Sequence, residues 1–336
     1  MLKHLRTIAG ITVSVVLLWL TIQHSGLQFN QLKPTIASTL LLGAGMGVFA
    51  FSVWVHAQRC KLFWINSLSQ ANEIKPWSSS LIGNFYNSVL PGNVGEGIRA
   101  WHFSRKNKVP FTRALAMMIA EKFLDAQVFF VTVALILPMQ RFEITNPVFV
   151  GLLAIMAAVV VANIALWWLW PRRSWVKWFI KWIPARGARQ FFWLLWLHFR
   201  QHLIHLKATG LLFYFFAATG LLFTTNIFQY NFALQAADLP YPFTGFYASW
   251  LISSLMIVIF VVPSAPSNVG VVHYGIFMAL LALAEVFQIN ITDGLKQKFG
   301  LAGVYLHLGY LIPELVLGAF AVWNERQLLF QRKVDK

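Results

Sequence analysis

Negative charge is scarce in this chain. Aspartate and glutamate together number 11, against 27 lysines and arginines. Charged residues make up only 11% of the 336 positions, where soluble proteins carry about 25%. That excludes an ordinary water-soluble domain. Cysteine is scarcer still: Cys60 stands alone, so no intrachain disulfide forms. Placed between Arg59 and Lys61, it reads as a thiol near a membrane–water boundary, either an ordinary interfacial residue or a reactive or acylated one. No G-x-x-x-x-G-K-[ST], H-E-x-x-H or G-x-S-x-G string occurs. The usual signatures of ATP hydrolysis and protease chemistry are therefore missing. No catalytic residue, metal or cofactor is expected.

Apolar residues fill the space. They form 58% of the sequence, and the mean hydropathy is +0.63. Apolar runs fall at 7–23, 35–57, 114–138, 147–170, 208–229, 245–263, 273–289 and 300–323. A helical span needs about 20 such residues, so the fold class is all-α, a polytopic transmembrane bundle of about eight spans. The first run follows basic residues like a signal peptide, but no A-x-A-like site follows it, so it reads as a retained span. The net charge of +16 does not imply nucleic acid, because no groove-reading motif accompanies it. Basic residues gather instead beside the spans, as retained cytoplasmic loops require. The clusters at 99–113, 171–207 and the tail place both termini in the cytoplasm of a bacterial inner membrane. This alternation closes only if 62–98 enters and leaves on one side.

A short string appears twice, each time at a break in an apolar run. Pro91-Gly92-Asn93-Val94-Gly95 and Pro266-Ser267-Asn268-Val269-Gly270 share P-x-N-V-G, 175 residues apart. Pro and Gly free backbone groups that lipid cannot satisfy, so such breaks persist inside protein or beside a water-filled cavity. Matching breaks in two halves point to a transporter's binding site. Chance is the alternative for so short a match. The duplication reading gives an N-terminal half at 1–170, with a re-entrant segment near 77–98, and a C-terminal half at 208–336. One or two re-entrant hairpins result. An inverted repeat would put the two breaks on opposite sides, whereas loop counting puts both near the cytoplasm.

Between the halves, 171–207 forms a basic, Trp-rich connector, with no acid anywhere from 144 to 237. Trp175, Trp178 and Trp182 share one helical face, which suits a helix lying in the interface or an aromatic belt. His198, His202 and His205 have a spacing that metal ligands also show. Neighbouring Arg200 and Lys207 disfavour a cation there, so headgroup contact is the preferred reading.

Ionisable groups within spans cost about 2.5–3.5 kcal/mol each, so they mark candidate sites. Glu96 and Arg99 share a face at the first break, as a structural ion pair or as a phosphate contact at a helix N-terminus. Glu121 and Asp125 share a face half-way along their run, as a proton or counter-ion site or as a structural charge network. Arg99 is within reach of them from the hairpin, whereas Lys122 lies off that face. His273 follows the second break, as a titrating group or a packing residue. Glu314 follows Pro313 in the last run, and Glu285 reads as interfacial.

These residues resemble the lysylphosphatidylglycerol synthase transmembrane, or flippase-like, family. The matches are Asn87, Leu90, Pro91, Gly92, Asn93, Gly95, Glu96 and Arg99, then Glu121, Lys122 and Asp125, then Pro263, Ser264, Pro266, Gly270 and His273. Lys122 stands where the family pattern has Arg, and His273 where some members carry Glu. The resemblance implies the membrane half without the soluble aminoacyl-transfer domain of larger relatives. It implies a protein that moves an anionic phospholipid or lipid-linked glycan between leaflets. A non-transporting lipid-binding subunit and an intramembrane headgroup enzyme are the alternatives, and a homodimer is compatible with each. The expected path comprises Asn87, Pro91, Gly92, Asn93, Gly95, Glu96, Arg99, Glu121, Asp125, Pro266, Asn268, Gly270, His273 and Glu314.

Overall fold

The computed structural model describes residues 2–27, 34–64, 74–90, 94–136, 161, 173–259 and 265–330. The run expected at 147–170 lies outside the described residues apart from 161, and so do Pro91, Gly92, Asn93, Pro263 and Ser264. Among the described residues the chain is helical, with no strand.

Long apolar stretches make the long helices. These are α1 (Leu2–Ser25), α2 (Ile36–Cys60) and α5 (Phe111–Ile136) in the first half. The second half has α8 (Leu211–Ala236), α9 (Phe246–Ile259), α10 (Val271–Val286) and α11 (Asp293–Asn324). Among the described residues, four helical stretches are long and apolar enough to cross a membrane: 36–63, 211–236, 266–286 and 293–324. α5 has 26 residues, about 39 Å, but carries Glu121, Lys122 and Asp125. Apolar side chains cover the outside: Ile36 is 83% exposed, Phe213 74% and Phe320 64%. Such a surface suits lipid, and the chain is a polytopic helical membrane protein.

Short helices surround the breaks. α3 (Pro76–Val89) opens on Pro76, whose missing N–H costs nothing in a first turn. α4 (Gly95–Lys106) follows the first break. With 14 and 12 residues, they extend about 21 and 18 Å, less than a hydrocarbon core of about 30 Å. They pack on each other as a hairpin. Gly95 makes this closure feasible, because a Cβ there would run into the Gly83 carbonyl and the Asn87 side chain.

The second break is a 3-10 turn at Pro266–Asn268, in which Ser267 and Asn268 take positive φ. Gly270 follows at φ +80°, with its absent Cβ facing the Ser14 carbonyl of α1. Ser14 Oγ also accepts a 2.7 Å hydrogen bond from the Ala265 amide. α1 thus packs on α10 and closes one side of this break.

The packing is repeated between halves. α2 lies on α3, α3 on α4, and α4 on α5; α8 lies on α9, α9 on α10, and α10 on α11. Across the halves, α2 packs on α8, α3 on α11 and α5 on α9. The order of neighbours is alike in the two halves, although α8 also packs along α11 and α2 has no such packing along α5.

The connector holds α6 (Arg173–Lys181) and α7 (Arg186–Ala208). α7 is less peripheral than an interfacial helix. It packs along α5 and buries Phe199, His202 and Leu206. α12 (Arg326–Phe330) ends the described chain against α4. There Glu325, the residue joining α11 to α12, pairs with Lys106.

Candidate functional site

Two polar assemblies lie inside this apolar bundle. The first is a charge network on α2, α4, α5 and α8. Arg59, near the end of α2, grips Asp125 of α5 with both terminal nitrogens, one contact at 3.0 Å and one shorter. Its Nη1 also donates to Thr219 Oγ1 of α8 at 2.6 Å. Phe215 covers the guanidinium at 4.5 Å. Arg99 of α4 donates to Glu121 Oε2 at 3.0 Å and to Glu96 Oε2 at 3.3 Å. Lys122 completes the set, 3.2 Å from Glu96.

The two buried arginines, 2% exposed each, pair with Asp125, Glu121 and Glu96. Three cations (Arg59, Arg99, Lys122) face three anions (Glu96, Glu121, Asp125), so the network is close to neutral. Breaking one member of such a set leaves a buried charge unpaired.

The structure corrects one expectation here. Cys60 is fully buried and donates to Glu121 Oε1 at 2.8 Å, rather than sitting at an interface. α2 continues past residue 57 to Cys60, which carries Arg59 and Cys60 into the bundle. Arg59, Cys60 and Thr219 were not among the expected site residues. The available signal was the spacing of His56, Arg59 and Cys60, which share one face of α2.

The second assembly is a cavity of about 350 Å³ between the end of α3, the second break, α8 and α11. α3 contributes Asn87 and Ser88, the second break Ser267 and Asn268, and α11 Tyr310 and Glu314. α8 adds Asn226, Gln229 and Tyr230. Ser88 Oγ donates to Glu314 Oε2. Ser267 Oγ donates to the Ser88 carbonyl at 2.7 Å, and Tyr310 donates to the Ser267 carbonyl at 3.0 Å. The end of α3, just before the first motif, is therefore a neighbour of the second motif. Pro313 has no amide hydrogen, so the Gly309 carbonyl loses its usual helix donor near this cavity.

Buried hydrogen-bonding capacity is left over around the cavity. Asn87 Oδ1 and Gln229 Nε2 are buried without partners among the described residues. Buried polar groups are normally satisfied, so these two are available to a ligand or to water. Among the described residues, Glu314 is the one acidic side chain lining the cavity, and no lysine or arginine lines it.

The expected residues thus divide. Asn87, Asn268 and Glu314 line the cavity, whereas Glu96, Arg99, Glu121 and Asp125 form the separate network. Gly95, Pro266 and Gly270 shape the breaks. His273 caps the start of α10: its Nδ1 accepts from the Gly270 amide at 3.3 Å, and its ring lies 4.8 Å from that of His307. Pro91, Gly92 and Asn93 lie outside the described residues.

His202 binds the Arg113 carbonyl at 3.2 Å and stands edge-on to Phe63 and Trp64. It is a packing residue there. Among the described residues, no three of histidine, cysteine, aspartate and glutamate gather as metal ligands.

No curated protein and no solved structure matches the chain. The family profile described as Lysylphosphatidylglycerol synthase TM region matches residues 7–288. That stretch contains the hairpin, the charge network and the second break, and the chain belongs to this family of membrane proteins.

Proposed function

We propose that the protein moves a membrane lipid between leaflets, with the lipid's polar headgroup held in the cavity between the two breaks. One observation carries this reading: the end of α3, the second break and Glu314 line one cavity rich in hydroxyls and carboxamides. Broken helices in two repeats are where membrane transporters place their substrate. The family assignment, with its relation to lipid handling, supports the same conclusion.

The lining favours one part of the substrate range. Carboxamides, hydroxyls and one carboxyl suit hydroxyl-rich or amine-bearing headgroups, so a lipid-linked glycan fits better than a headgroup recognised by its phosphate. Arg99 remains in this reading as the residue that seats the hairpin against α5. α3 and α4 form the re-entrant pair, since neither is long enough to span. The halves 1–170 and 208–336 act as the two repeats, joined by 171–207, with both termini in the cytoplasm. No ATPase motif occurs in the sequence, so movement is facilitated or ion-coupled.

The test is a leaflet-resolved lipid assay in proteoliposomes. Wild type should accelerate the transfer of a lipid-linked glycan, and Glu314→Gln should return the rate to that of empty vesicles. A wild-type rate at the empty-vesicle level for every lipid tried would remove the proposal. So would full activity in Glu314→Gln.

A further inference from the structure

We propose that α6 and α7 form a docking site for one anionic phospholipid of the surrounding membrane, separate from the cavity between the breaks. Two adjoining concavities carry the argument. The first, about 490 Å³, is lined by Lys177 and Lys181 of α6 and by Arg186, Arg189 and Trp193 of α7. Lys177 Nζ sits 5.8 Å from the Trp193 ring. The second, about 410 Å³, is almost wholly apolar and runs between Phe179, Ile183, Phe192 and Trp196, with Ile119 of α5 as its floor. Ile180 lines both, so a polar end and an apolar end meet at one side chain.

Charge complementarity selects the occupant. Four cations surround the first concavity, and none of them is in a salt bridge among the described residues. The sequence from 144 to 237 contains no acid that could neutralise them locally. Arg189 Nη2 donates only to the Pro184 carbonyl, at 3.4 Å, and its Nε is buried without a partner among the described residues. α7 adds to the positive potential, because it starts without a side-chain cap and without an acid in its first turn. Arginines at that end are unfavourable unless an anion joins them.

The apolar groove makes the anion a lipid. A free phosphate or an acidic peptide would use the basic pocket and leave the groove uncovered. A phospholipid places its phosphate among the four cations and an acyl chain along Phe179 and Phe192. Trp178 and Trp182, 52% and 74% exposed, extend the same amphipathic surface towards the membrane interface.

The experiment is lipid retention by the purified full-length chain, read by native mass spectrometry. Phosphatidylglycerol and phosphatidylcholine of matched chains compete for the protein. Each cation near an anionic headgroup is worth roughly a fivefold preference, so wild type should retain phosphatidylglycerol at least about tenfold better. Combined Lys177→Gln, Lys181→Gln, Arg186→Gln and Arg189→Gln should bring retention down to the phosphatidylcholine level. Lys177, Lys181 and Arg186 are exposed and Arg189 is half-buried, and an unchanged size-exclusion profile confirms that the variant folds. Ile180→Trp, which fills the groove without adding charge beside the cations, should also release the lipid. Equal retention of the two lipids would overturn the proposal, as would unchanged retention in either variant. Full displacement by inorganic phosphate would show a free-anion pocket, and full displacement by an acidic peptide a protein-docking surface; either overturns it as well.

Discussion

Ser267 Oγ donates a 2.7 Å hydrogen bond to the carbonyl of Ser88, joining two positions 179 residues apart. Ser88 ends the helix before the first break, and Ser267 lies within the second. The same Ser88 bonds through its hydroxyl to Glu314. Three separate parts of the chain are thereby fixed around one cavity.

Glu314→Gln tests the chemistry of that cavity. The amide keeps the shape and still accepts from Ser88, so the unfolding midpoint should stay close to wild type. Leaflet transfer should fall by at least about tenfold, the equivalent of losing roughly 1.4 kcal/mol of transition-state stabilisation. Loss of transfer together with loss of folding would instead assign Glu314 a structural role.

Arg59, whose side chain is fully buried, pairs with Asp125. Arg59→Met alone should destabilise the protein by about 3–5 kcal/mol, because Asp125 would keep its charge without a partner. Arg59→Met combined with Asp125→Leu should recover most of that loss. Denaturant unfolding in detergent measures both. A double variant as unstable as the single would show that Thr219 and Phe215, not the charge pairing, dominate the site.

Arg99 separates two roles with one substitution. Arg99→Lys loses the fork that reaches Glu121, Glu96 and Cys60 together. Its unfolding midpoint should drop. Headgroup affinity of the remaining folded protein should stay within about threefold of wild type, under 1 kcal/mol. A selective loss of affinity with normal stability would return Arg99 to the substrate path.

Gly95 and Gly97 offer a matched comparison within one helix. Gly97→Ala meets nothing within 4 Å and should be neutral or slightly stabilising. Gly95→Ala meets the Gly83 carbonyl and Asn87, so the hairpin must open. A cost of about 1–3 kcal/mol is expected in a thermal unfolding series. Equal midpoints for the two variants would mean that α3 and α4 do not need to close so tightly.

The breaks were legible in the sequence because their cause is local. Gly95, Pro266 and Gly270 act on their own backbone, and the shared string marks them without any tertiary knowledge. Glu121 and Asp125 were legible for a similar reason, since charge inside an apolar run stands out. Their partners were not all legible. Asp125 pairs with Arg59 across 66 residues, and the end of an apolar run does not say whether the next arginine turns inwards. The apolar run closes at 57, yet α2 continues to Cys60, because Asp125 and Glu121 offer Arg59 and Cys60 a place inside. The meeting of Ser88 with Ser267 was hidden for the same reason. Loop charges report sides of a membrane, but not how deeply a break reaches from either side.

The unequal charging of the two breaks has a mechanical consequence. The first hairpin is anchored by Arg99 on Glu121, and pulling it away would separate opposite charges in a medium of low dielectric constant. The second break is held by hydroxyls, carbonyls and the His273 cap, which can exchange partners one at a time. The first hairpin is therefore tied down by charge, whereas the turn at Pro266–Asn268 is held by weaker, exchangeable contacts.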